Sequence, residues 1–410
     1  MKKIIALVLA ALLIIGLLAA CGGNGGQQGG GGQEGGGQES GQDGGETTPG
    51  EAAGEDIKFA VIAAITGNSA SDGASMKNAV QMAVDEINAA GGVNGRMLVP
   101  DFIDGGSTAD SALNVAQKVA SDGSYTAIFG PHFSSQILAI GDTLSEAEIP
   151  VITGGTVKKV LETVTSDWVI RNRCPDTVVA LASAKFMVEE MGVKKVGIFC
   201  ANDDFGQGAA DIVKEYFDSV GVEYVSETFN VDDNDVTSQC LKLKDAGVDS
   251  LFVWSLGTVF ATVVRNIIEQ GLNTLPIMAS SALTFPDIQA TLPTGWEEAT
   301  KGWYVNTHWT TDLDDEASKT FVARYNELYG LEPNMLAAAW YSTTYWLKDC
   351  VERAGSTDPA ALLKAMQETQ GFETLSGTFN YADRDLIRQI LILEQDGTGS
   401  FIFVQKVIGE

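Results

Sequence analysis

The chain of 410 residues contains only two histidines, His132 and His308. They lie far apart in the sequence, and neither has an obvious serine or cysteine partner for nucleophilic catalysis. The five cysteines form no Cys-x-x-Cys pair, so a zinc site built from Cys and His is not expected. The sequence motifs of dinucleotide-binding proteins, P-loop enzymes and α/β-hydrolases are also missing. We therefore expect a protein that is not an enzyme and needs no cofactor or metal.

Basic residues are few as well, with 26 Lys and Arg against 54 Asp and Glu and a formal net charge of −28. Nucleic acids and anionic lipid headgroups attract basic surfaces, so neither is expected as a partner of this acidic chain. The acid excess says little about a small ligand, which experiences the charge of its own pocket. We interpret most of the excess as surface charge that favours solubility.

Of the five cysteines, Cys21 stands apart near the N-terminus from Cys174, Cys200, Cys240 and Cys350. Outside the cytoplasm, these four could form up to two disulfides, for which three connectivities exist. Buried free thiols fit the same sequence equally well. The sequence leaves the choice between these alternatives open.

The N-terminus has the pattern of a secretory signal, in which two lysines precede an uncharged apolar run over residues 4–20. The sequence LAAC at 18–21 is typical of a bacterial lipobox, whose cysteine carries a lipid. A transmembrane anchor is the alternative, since the run is nearly long enough to span a bilayer. Because no Lys or Arg follows the run, we predict a lipoprotein signal peptide at 1–20 and a lipid on Cys21. The protein is then extracytoplasmic and anchored to the cell membrane.

A glycine-rich segment follows the lipobox, and 16 of its 33 residues between 22 and 54 are glycine. Most of the others are polar, so the segment cannot bury a core and is expected to be disordered. We predict that residues 21–54 form a flexible linker beyond the lipidated cysteine. Such a linker has an r.m.s. span of roughly 30 Å.

The rest of the chain alternates between strand and helix patterns and, at roughly 355 residues, is too long for one core. The apolar run at 57–65 is typical of a parallel strand that is buried on both faces. Helical stripes and further strands alternate up to residue 173, and the same rhythm then restarts. The pattern predicts an α/β fold of two Rossmann-like, doubly wound lobes with a ligand-binding cleft between them.

Three segments in order resemble the type I periplasmic binding proteins of the branched-chain amino acid receptor family. They are DEINAAGGVNGR at 85–96, GP at 130–131 with SS at 134–135, and NDDFGQG at 202–208. The resemblance implies two lobes joined by a three-segment hinge, which close on a solute and deliver it to an ABC permease. It also implies lobe I at 55–172 with about 307–385, and lobe II at 173–306 with about 386–410. We expect a monomer that binds one small molecule.

Ser134 is the principal candidate for the ligand's carboxylate, which that position binds in the family. Ser134 and Ser135 follow a strand and open a helix, where free N–H groups and the helix dipole favour an anion. A simple N-cap is the alternative for Ser134. The remaining candidates that the resemblance implies are His132 and Phe133 in the pocket floor, Gly155, Thr156 and Val157 in the next wall, and Phe205 as an aromatic cover or a core residue.

Two departures from the family concern the ligand directly. The acid that pairs a ligand ammonium in amino acid receptors falls on residues 279–282, where Ser281 stands and no carboxylate occurs. Asp72 occupies a position that is commonly aromatic in the family, and it either replaces that acid or is an exposed cap. The prediction is therefore a receptor for a branched-chain or other amino acid. The alternative is a receptor or sensor for amides, urea-like solutes, or aromatic or other carboxylic acids.

Overall fold

The computed structural model describes residues 54–382, 384–386 and 389–408. The predicted signal peptide, the lipidated Cys21 and nearly all of the predicted linker lie outside the described residues. Among the helices of the described part, none combines the length and apolar character that crossing a membrane requires.

The described chain contains fourteen strands, most of which are short and buried. They are β1 (Ile57–Ala63), β2 (Leu98–Asp104), β3 (Ala127–Phe129), β4 (Val151–Thr153), β5 (Val169–Arg171), β6 (Lys195–Ala201), β7 (Glu223–Phe229), β8 (Ser250–Trp254), β9 (Ile277–Ala279), β10 (Tyr304–Thr307), β11 (Phe372–Thr374), β12 (Gly377–Phe379), β13 (Gln389–Gln395) and β14 (Phe401–Ile408).

Helices alternate with these strands in the described chain. They are α1 (Ala70–Ala89), α2 (Ala109–Ser121), α3 (Ser134–Ser145), α4 (Lys158–Thr163), α5 (Asp176–Glu189), α6 (Asp204–Val220), α7 (Thr237–Asp245), α8 (Val259–Glu269), α9 (Pro286–Gln289), α10 (Trp296–Ala299), α11 (Glu316–Tyr329), α12 (Met335–Ala354) and α13 (Pro359–Gln367). A 3₁₀ helix at Ser281–Thr284 precedes α9.

The first sheet is parallel, and its strand order is β2-β1-β3-β4-β5. Its inner strand β1 is largely apolar on both faces because helices cover both sides of the sheet. The order places β2 on one side of β1 and β3 on the other. The chain therefore moves across the sheet in one direction from β1 to β2 and in the opposite direction from β2 to β3. A crevice for ligands forms outside the carboxyl ends of strands at such a reversal.

The second sheet has the order β14-β13-β10-β9-β8-β6-β7. The five strands from β10 to β7 are parallel, and β13 and β14 add an antiparallel hairpin at one edge. Helices α5 and α6 contribute to the core on one face of this sheet, and α7 and α8 to the core on the other. The two sheets with their helices confirm the predicted two-lobed α/β fold.

Helix α12 belongs with the first sheet, because it packs along α1. The hydroxyl groups of Tyr341 and Tyr345 on α12 both donate to the carboxylate of Glu86 on α1, at 2.6 and 2.9 Å. The chain thus leaves the first sheet after β5 and forms most of the second sheet up to β10. It then returns to the first lobe with α12 and enters the second sheet again at β13. The division of the lobes at about 307 and 385 stays a prediction.

Several boundaries differ from the sequence-based prediction. The sequence pattern predicts a helix over 208–220, but α6 begins at Asp204 because the Asp203 side chain caps it. The Asp203 carboxylate accepts the N–H of Gly206 at 2.7 Å. The short elements α4 and β10 were not predicted, since runs of four to six residues carry little periodicity.

Cysteine chemistry in the described part favours one of the two alternatives left by the sequence. Cys200, Cys240 and Cys350 are buried free thiols, and Cys174 is buried too. Burial is the main cause that raises the pKa of both Cys240 and Cys350 to about 12. These thiols therefore remain protonated and unreactive at physiological pH.

Candidate functional site

A cavity of about 470 Å³ opens where the carboxyl ends of the strands in both sheets face each other. The loops after β1 to β5 contribute one wall, and those after β6, β7 and β8 contribute the other. The lining residues are Thr66, Gly67, Asn68, Ser69, Gly106, Ser107, Thr108, Ala109, Ser111, His132, Phe133, Ser134, Ser135, Gly154, Thr156, Arg173, Asp203, Phe205, Val231, Leu256, Gly257 and Thr258. The volume lies within the range of small-molecule sites.

Ser134 is held as a hydrogen-bond donor to the cavity. Its Oγ accepts the backbone N–H groups of Thr156 at 3.1 Å and Val157 at 3.3 Å. Since a hydroxyl has two acceptor lone pairs and one proton, its O–H is left to donate. Ser134 is not the N-cap, because Phe133 holds that position and no side chain caps α3. The N-cap alternative for Ser134 is therefore wrong.

The N-terminus of α3 adds positive electrostatic potential beside this hydroxyl. The first N–H groups of a helix have no partner within the helix, and the helix dipole concentrates partial positive charge there. Ser134 and Ser135 both line the cavity, and the first turn of α3 contains no acidic residue. The wall around Ser134 is thus suited to an anionic group such as a carboxylate.

The neighbouring wall is the turn after β4. The resemblance places a threonine of the family at Val157, with Thr156 beside it, so the sequence predicts that one hydrogen-bonding group is missing or displaced there. Thr156 lines the cavity, whereas Gly155 donates its N–H to Thr153 Oγ1 at 3.2 Å and lies behind the surface. The Val157 side chain packs instead against Gly208 on α6. Thr156 is therefore the residue of this turn that reaches the cavity, although its Oγ1 is itself buried.

His132 and Phe133 form part of the cavity floor, and their rings meet edge to face with centroids 5.1 Å apart. The Trp340 indole N–H donates to His132 Nδ1 at 3.1 Å, and Arg173 Nη1 lies 3.3 Å from His132 Nε2. Burial, followed by the charge of Arg173, holds the pKa of His132 well below its usual range. His132 is therefore neutral at physiological pH.

Phe205 supplies an aromatic surface from the second wall. It lines the cavity and packs against the Trp254 ring at a centroid distance of 5.7 Å. Trp254 in turn stacks on Phe252. The ring can thus cover an apolar portion of a ligand while the core behind it holds its orientation.

Two predicted site residues lie away from this cavity. Asp72 is buried in the first turn of α1, so the alternative of an exposed cap is wrong, and it does not line the cavity. Ser281 lines a separate cavity of about 20 Å³, together with Asn306 and His308. The structure therefore gathers six of the ten candidates at the large cavity, namely His132, Phe133, Ser134, Ser135, Thr156 and Phe205.

Known proteins resemble this chain in both sequence and structure. Residues 56–400 match the family model described as periplasmic binding protein. The chain belongs to the periplasmic binding protein family.

Individual members are similar over most of their length. A Leu/Ile/Val-binding protein homolog 2 of Brucella abortus (strain 2308) is 26% identical over 336 residues, which is 80% of this chain and 86% of the relative. The leucine-binding protein LivK of Thermotoga maritima has a TM-score of 0.77 at 25% identity, covering 86% of this chain and 99% of the other. A solute-binding protein of Rhodopseudomonas palustris in complex with 3,4-dihydroxybenzoic acid has a TM-score of 0.78 at 20% identity, covering 86% and 98%. The protein is thus a solute receptor.

Sequence reasoning missed several lining residues of this periplasmic binding protein, most notably Arg173. It follows β5 directly, just as Ser134 follows β3 after a short loop. A signal was available, since side chains just past the carboxyl ends of parallel strands gather at one edge. Leu256 and Thr258, which follow β8, carried no comparable chemical signal.

A glycine-to-alanine change at the contact between the lobes should weaken ligand binding. A Cβ at Gly208 on α6 would overlap the Val157 side chain of the first lobe. Such overpacking costs about 1–3 kcal/mol. Because Val157 and Gly208 belong to different lobes, the cost falls on the closed conformation, and Gly208→Ala should lower solute affinity about 5- to 150-fold. Titration calorimetry measures the change.

Two further variants control this prediction. Val157→Ala in the Gly208→Ala background removes the overlapping methyl groups, so it should restore affinity. Gly206→Ala places its Cβ against the Ala201 carbonyl within one lobe, so it should lower thermal stability even without ligand. Equal affinity in Gly208→Ala and wild type would contradict the contact between the lobes.

Proposed function

We propose that this receptor captures a small organic solute that bears a carboxylate, and that it holds the solute between its two lobes. The observation that carries the proposal is Ser134, whose Oγ accepts two backbone N–H groups and keeps its proton for the ligand. Its position at the N-terminus of α3 adds an environment that favours anions. Branched-chain and other amino acids belong to this class, as do other carboxylic acids.

The names of the similar proteins support both kinds of carboxylate. The Brucella relative is named for Leu, Ile and Val, and the Thermotoga protein for leucine. One of the structurally similar proteins holds 3,4-dihydroxybenzoic acid. A solute with a carboxylate and an apolar body fits the cavity described above, because Phe133, Phe205, Val231 and Leu256 also line it.

We further propose that closure of the lobes is the signal that an ABC permease recognises. A ligand that contacts both lobes stabilises the closed arrangement by its differential affinity. The lobes already approach each other at a second point, where a Cβ on Gly257 would lie 3.3 Å from Ser69 Oγ. The protein binds its solute stoichiometrically, as a monomer, and does not convert it.

The same proposal includes the lipid on Cys21 and the flexible linker that follows it. Both lie outside the described residues, and the lipobox sequence at 18–21 supports them. A tethered receptor would remain at the membrane surface within reach of its permease. The location is extracytoplasmic, as in the family to which the chain belongs.

Removal of the Ser134 hydroxyl tests the carboxylate site. Hydrogen bonds to charged groups contribute about 1.5–3 kcal/mol, so Ser134→Ala should lower affinity for the bound carboxylate about 10- to 100-fold. A thermal-shift screen of the purified protein with amino acids, amides and carboxylic acids first identifies the solute. At 100 times its Kd, a one-to-one ligand stabilises the protein by about 2.7 kcal/mol.

Ser145→Ala is a matched control, because Ser145 ends α3 and donates only to the Gly141 carbonyl at 2.7 Å. This variant should bind the solute as tightly as wild type. Undiminished affinity in Ser134→Ala would remove the carboxylate site from the proposal. A solute that binds only as an amide would do the same.

A further inference from the structure

Arg173 is a buried cation that faces the ligand cavity. Only 6% of its surface is exposed, yet it lines both the large cavity and the small one beside it. It follows β5 on the first segment that connects the two lobes. The turn after β4 connects Arg173 with Ser134. Arg173 Nη1 lies 3.3 Å from the Gly154 carbonyl of this turn, and the Thr156 N–H of the same turn donates to Ser134 Oγ.

The guanidinium of Arg173 is poorly satisfied by the protein. Its buried Nε has no hydrogen-bond partner, and no Asp or Glu of the described residues forms an ion pair with it. Arg171 on the same strand end is a direct contrast. Its Nε lies 2.5 Å from Asp385 Oδ1, and its Nη1 donates to the Thr156 carbonyl at 2.6 Å.

The contact between Arg173 Nη1 and His132 Nε2 does not give the guanidinium a further acceptor. His132 Nδ1 already accepts the Trp340 indole N–H at 3.1 Å. A neutral imidazole has one acceptor nitrogen, so it cannot also accept from Arg173 through Nε2. The Gly154 carbonyl is therefore the one acceptor that the protein offers to Nη1.

Two buried carboxyls, those of Asp72 and Asp176, lie near Arg173 and partly offset its charge, but neither forms an ion pair with it among the described residues. Burial is the main cause that raises the pKa of Asp72 to about 7 and that of Asp176 to about 6. Burial and the charge of Arg173 lower the pKa of His308 to about 3. Arg173 itself stays protonated, because burial lowers its pKa only to about 10. A buried charge without a paired counter-ion is costly, so an incoming anion would be bound strongly.

The negative charge that lines the cavity already has a partner within the protein. Asp203 is the one carboxylate among the described lining residues, and it caps α6 through the Gly206 N–H at 2.7 Å. Ser281, at the position of the family's ammonium-pairing acid, does not line the large cavity. The cavity therefore offers more to a carboxylate than to an ammonium group.

We propose that Arg173 pairs with the carboxylate of the solute, and that the solute is an organic acid without an ammonium group. The inference rests on the proposed function and narrows its class of solutes. The carboxylate bridges the Arg173 guanidinium and the donors at Ser134, both of which line the same cavity. An amino acid would bring an ammonium group into a cavity whose one carboxylate among the described lining residues already caps α6.

A matched set of solutes separates charge from shape. Leucine, 4-methylpentanoate and 4-methylpentanamide share one carbon skeleton as zwitterion, anion and neutral amide, and benzoate with benzamide forms a second pair. Wild type should bind at least one of the two acids, and bind it at least tenfold more tightly than its amide. The full-length purified protein is titrated with each solute by calorimetry.

Variants of Arg173 test its role. Arg173→Met keeps the reach of the side chain and removes its charge, so it should lose affinity for the acid about 10- to 100-fold. Its affinity for the amide should not change. Arg173→Lys keeps the charge and should retain most of the acid's affinity, and Asp203→Asn should strengthen acid binding by removing a negative charge.

The melting temperature of the ligand-free protein distinguishes this role from a structural one. Because Arg173 has no ion pair to lose, Arg173→Met should melt no lower than wild type. Tightest binding of leucine, or equal losses in Arg173→Met and Arg173→Lys, would overturn the inference and leave the proposed function standing. A wild type that binds no small organic solute would overturn both.

Discussion

Asp385→Ala is expected to lower the free energy of unfolding by about 3–5 kcal/mol, the typical cost of removing one partner of a buried ion pair. Asp385 Oδ1 lies 2.5 Å from Arg171 Nε, and the two side chains are 12% and 3% exposed. The substitution would leave the Arg171 guanidinium buried without its counter-ion. Urea unfolding monitored by circular dichroism measures the difference.

The loss should also reach the ligand site. Arg171 donates to the carbonyls of Thr156 and Val157 at 2.6 and 3.3 Å, and the N–H groups of both residues hold Ser134 Oγ. A displaced Arg171 would loosen this turn, so the variant should bind its solute more weakly than wild type. The pair also joins β5 to the segment that precedes β13.

An exposed ion pair provides the control for this prediction. Lys158 and Glu162 lie 3.2 Å apart on α4, with side chains that are 63% and 57% exposed. Pairs of this kind contribute about 0–1 kcal/mol, so Glu162→Ala should leave stability nearly unchanged. A cost below about 1 kcal/mol for Asp385→Ala would show that the buried pair is not the support described above.

Asp72→Asn is expected to stabilise the protein, and the gain should grow between pH 4 and pH 7. Burial, then the neighbouring charge of Asp287, raises the pKa of Asp72 from 3.8 to about 7, while Arg173 partly opposes the shift. Its Oδ2 is buried without a hydrogen-bond partner. Ionising this carboxyl in the folded protein is therefore costly, and asparagine avoids the cost.

The sign follows from proton binding. Between pH 4 and 7 the folded protein keeps the Asp72 proton and the unfolded chain has lost it, so stability falls as pH rises. Below pH 4 both states are protonated and the contribution vanishes. The full effect above pH 7 is on the order of 4 kcal/mol, because each unit of pKa difference corresponds to about 1.4 kcal/mol. Unfolding free energies of both proteins at pH 4, 5.5 and 7.5 measure it.

Asp235 has the opposite environment and serves as the matched control. It is exposed, and hydrogen bonds from Thr237 hold its pKa below the usual value. Asp235→Asn should therefore reduce stability at neutral pH and have less effect at low pH, the reverse of Asp72→Asn. A gain for Asp72→Asn that is independent of pH would contradict the account of its burial.

The overall fold was predictable because its signals are local and repeated. β1 is a near-continuous apolar run, and the glycines after α1 follow a stripe that includes Met76, Val80 and Ile87. Such periods identify elements without knowledge of their partners. The first lobe's core strands and helices accordingly lie within a few residues of their expected positions.

Site residues were predictable only where their position relative to neighbouring strands and helices indicates their role. Ser134 follows a strand and opens a helix, and the structure puts it in the cavity wall. The roles of Arg173 and Asp72 depend on residues that are distant in the sequence. Arg173 contacts His132, which accepts a hydrogen bond from Trp340. Asp72 is buried near the charge of Asp287. No periodic pattern encodes such long-range contacts. The roles of the site residues in binding stay predictions.

A crystal structure of the complex with the solute that gives the largest thermal shift tests the central claim most directly. The account predicts one solute molecule in the cavity between the lobes, with its carboxylate about 2.7–3.2 Å from Ser134 Oγ or the first N–H groups of α3. A solute bound outside this cavity, or one whose carboxylate points away from Ser134, would contradict it.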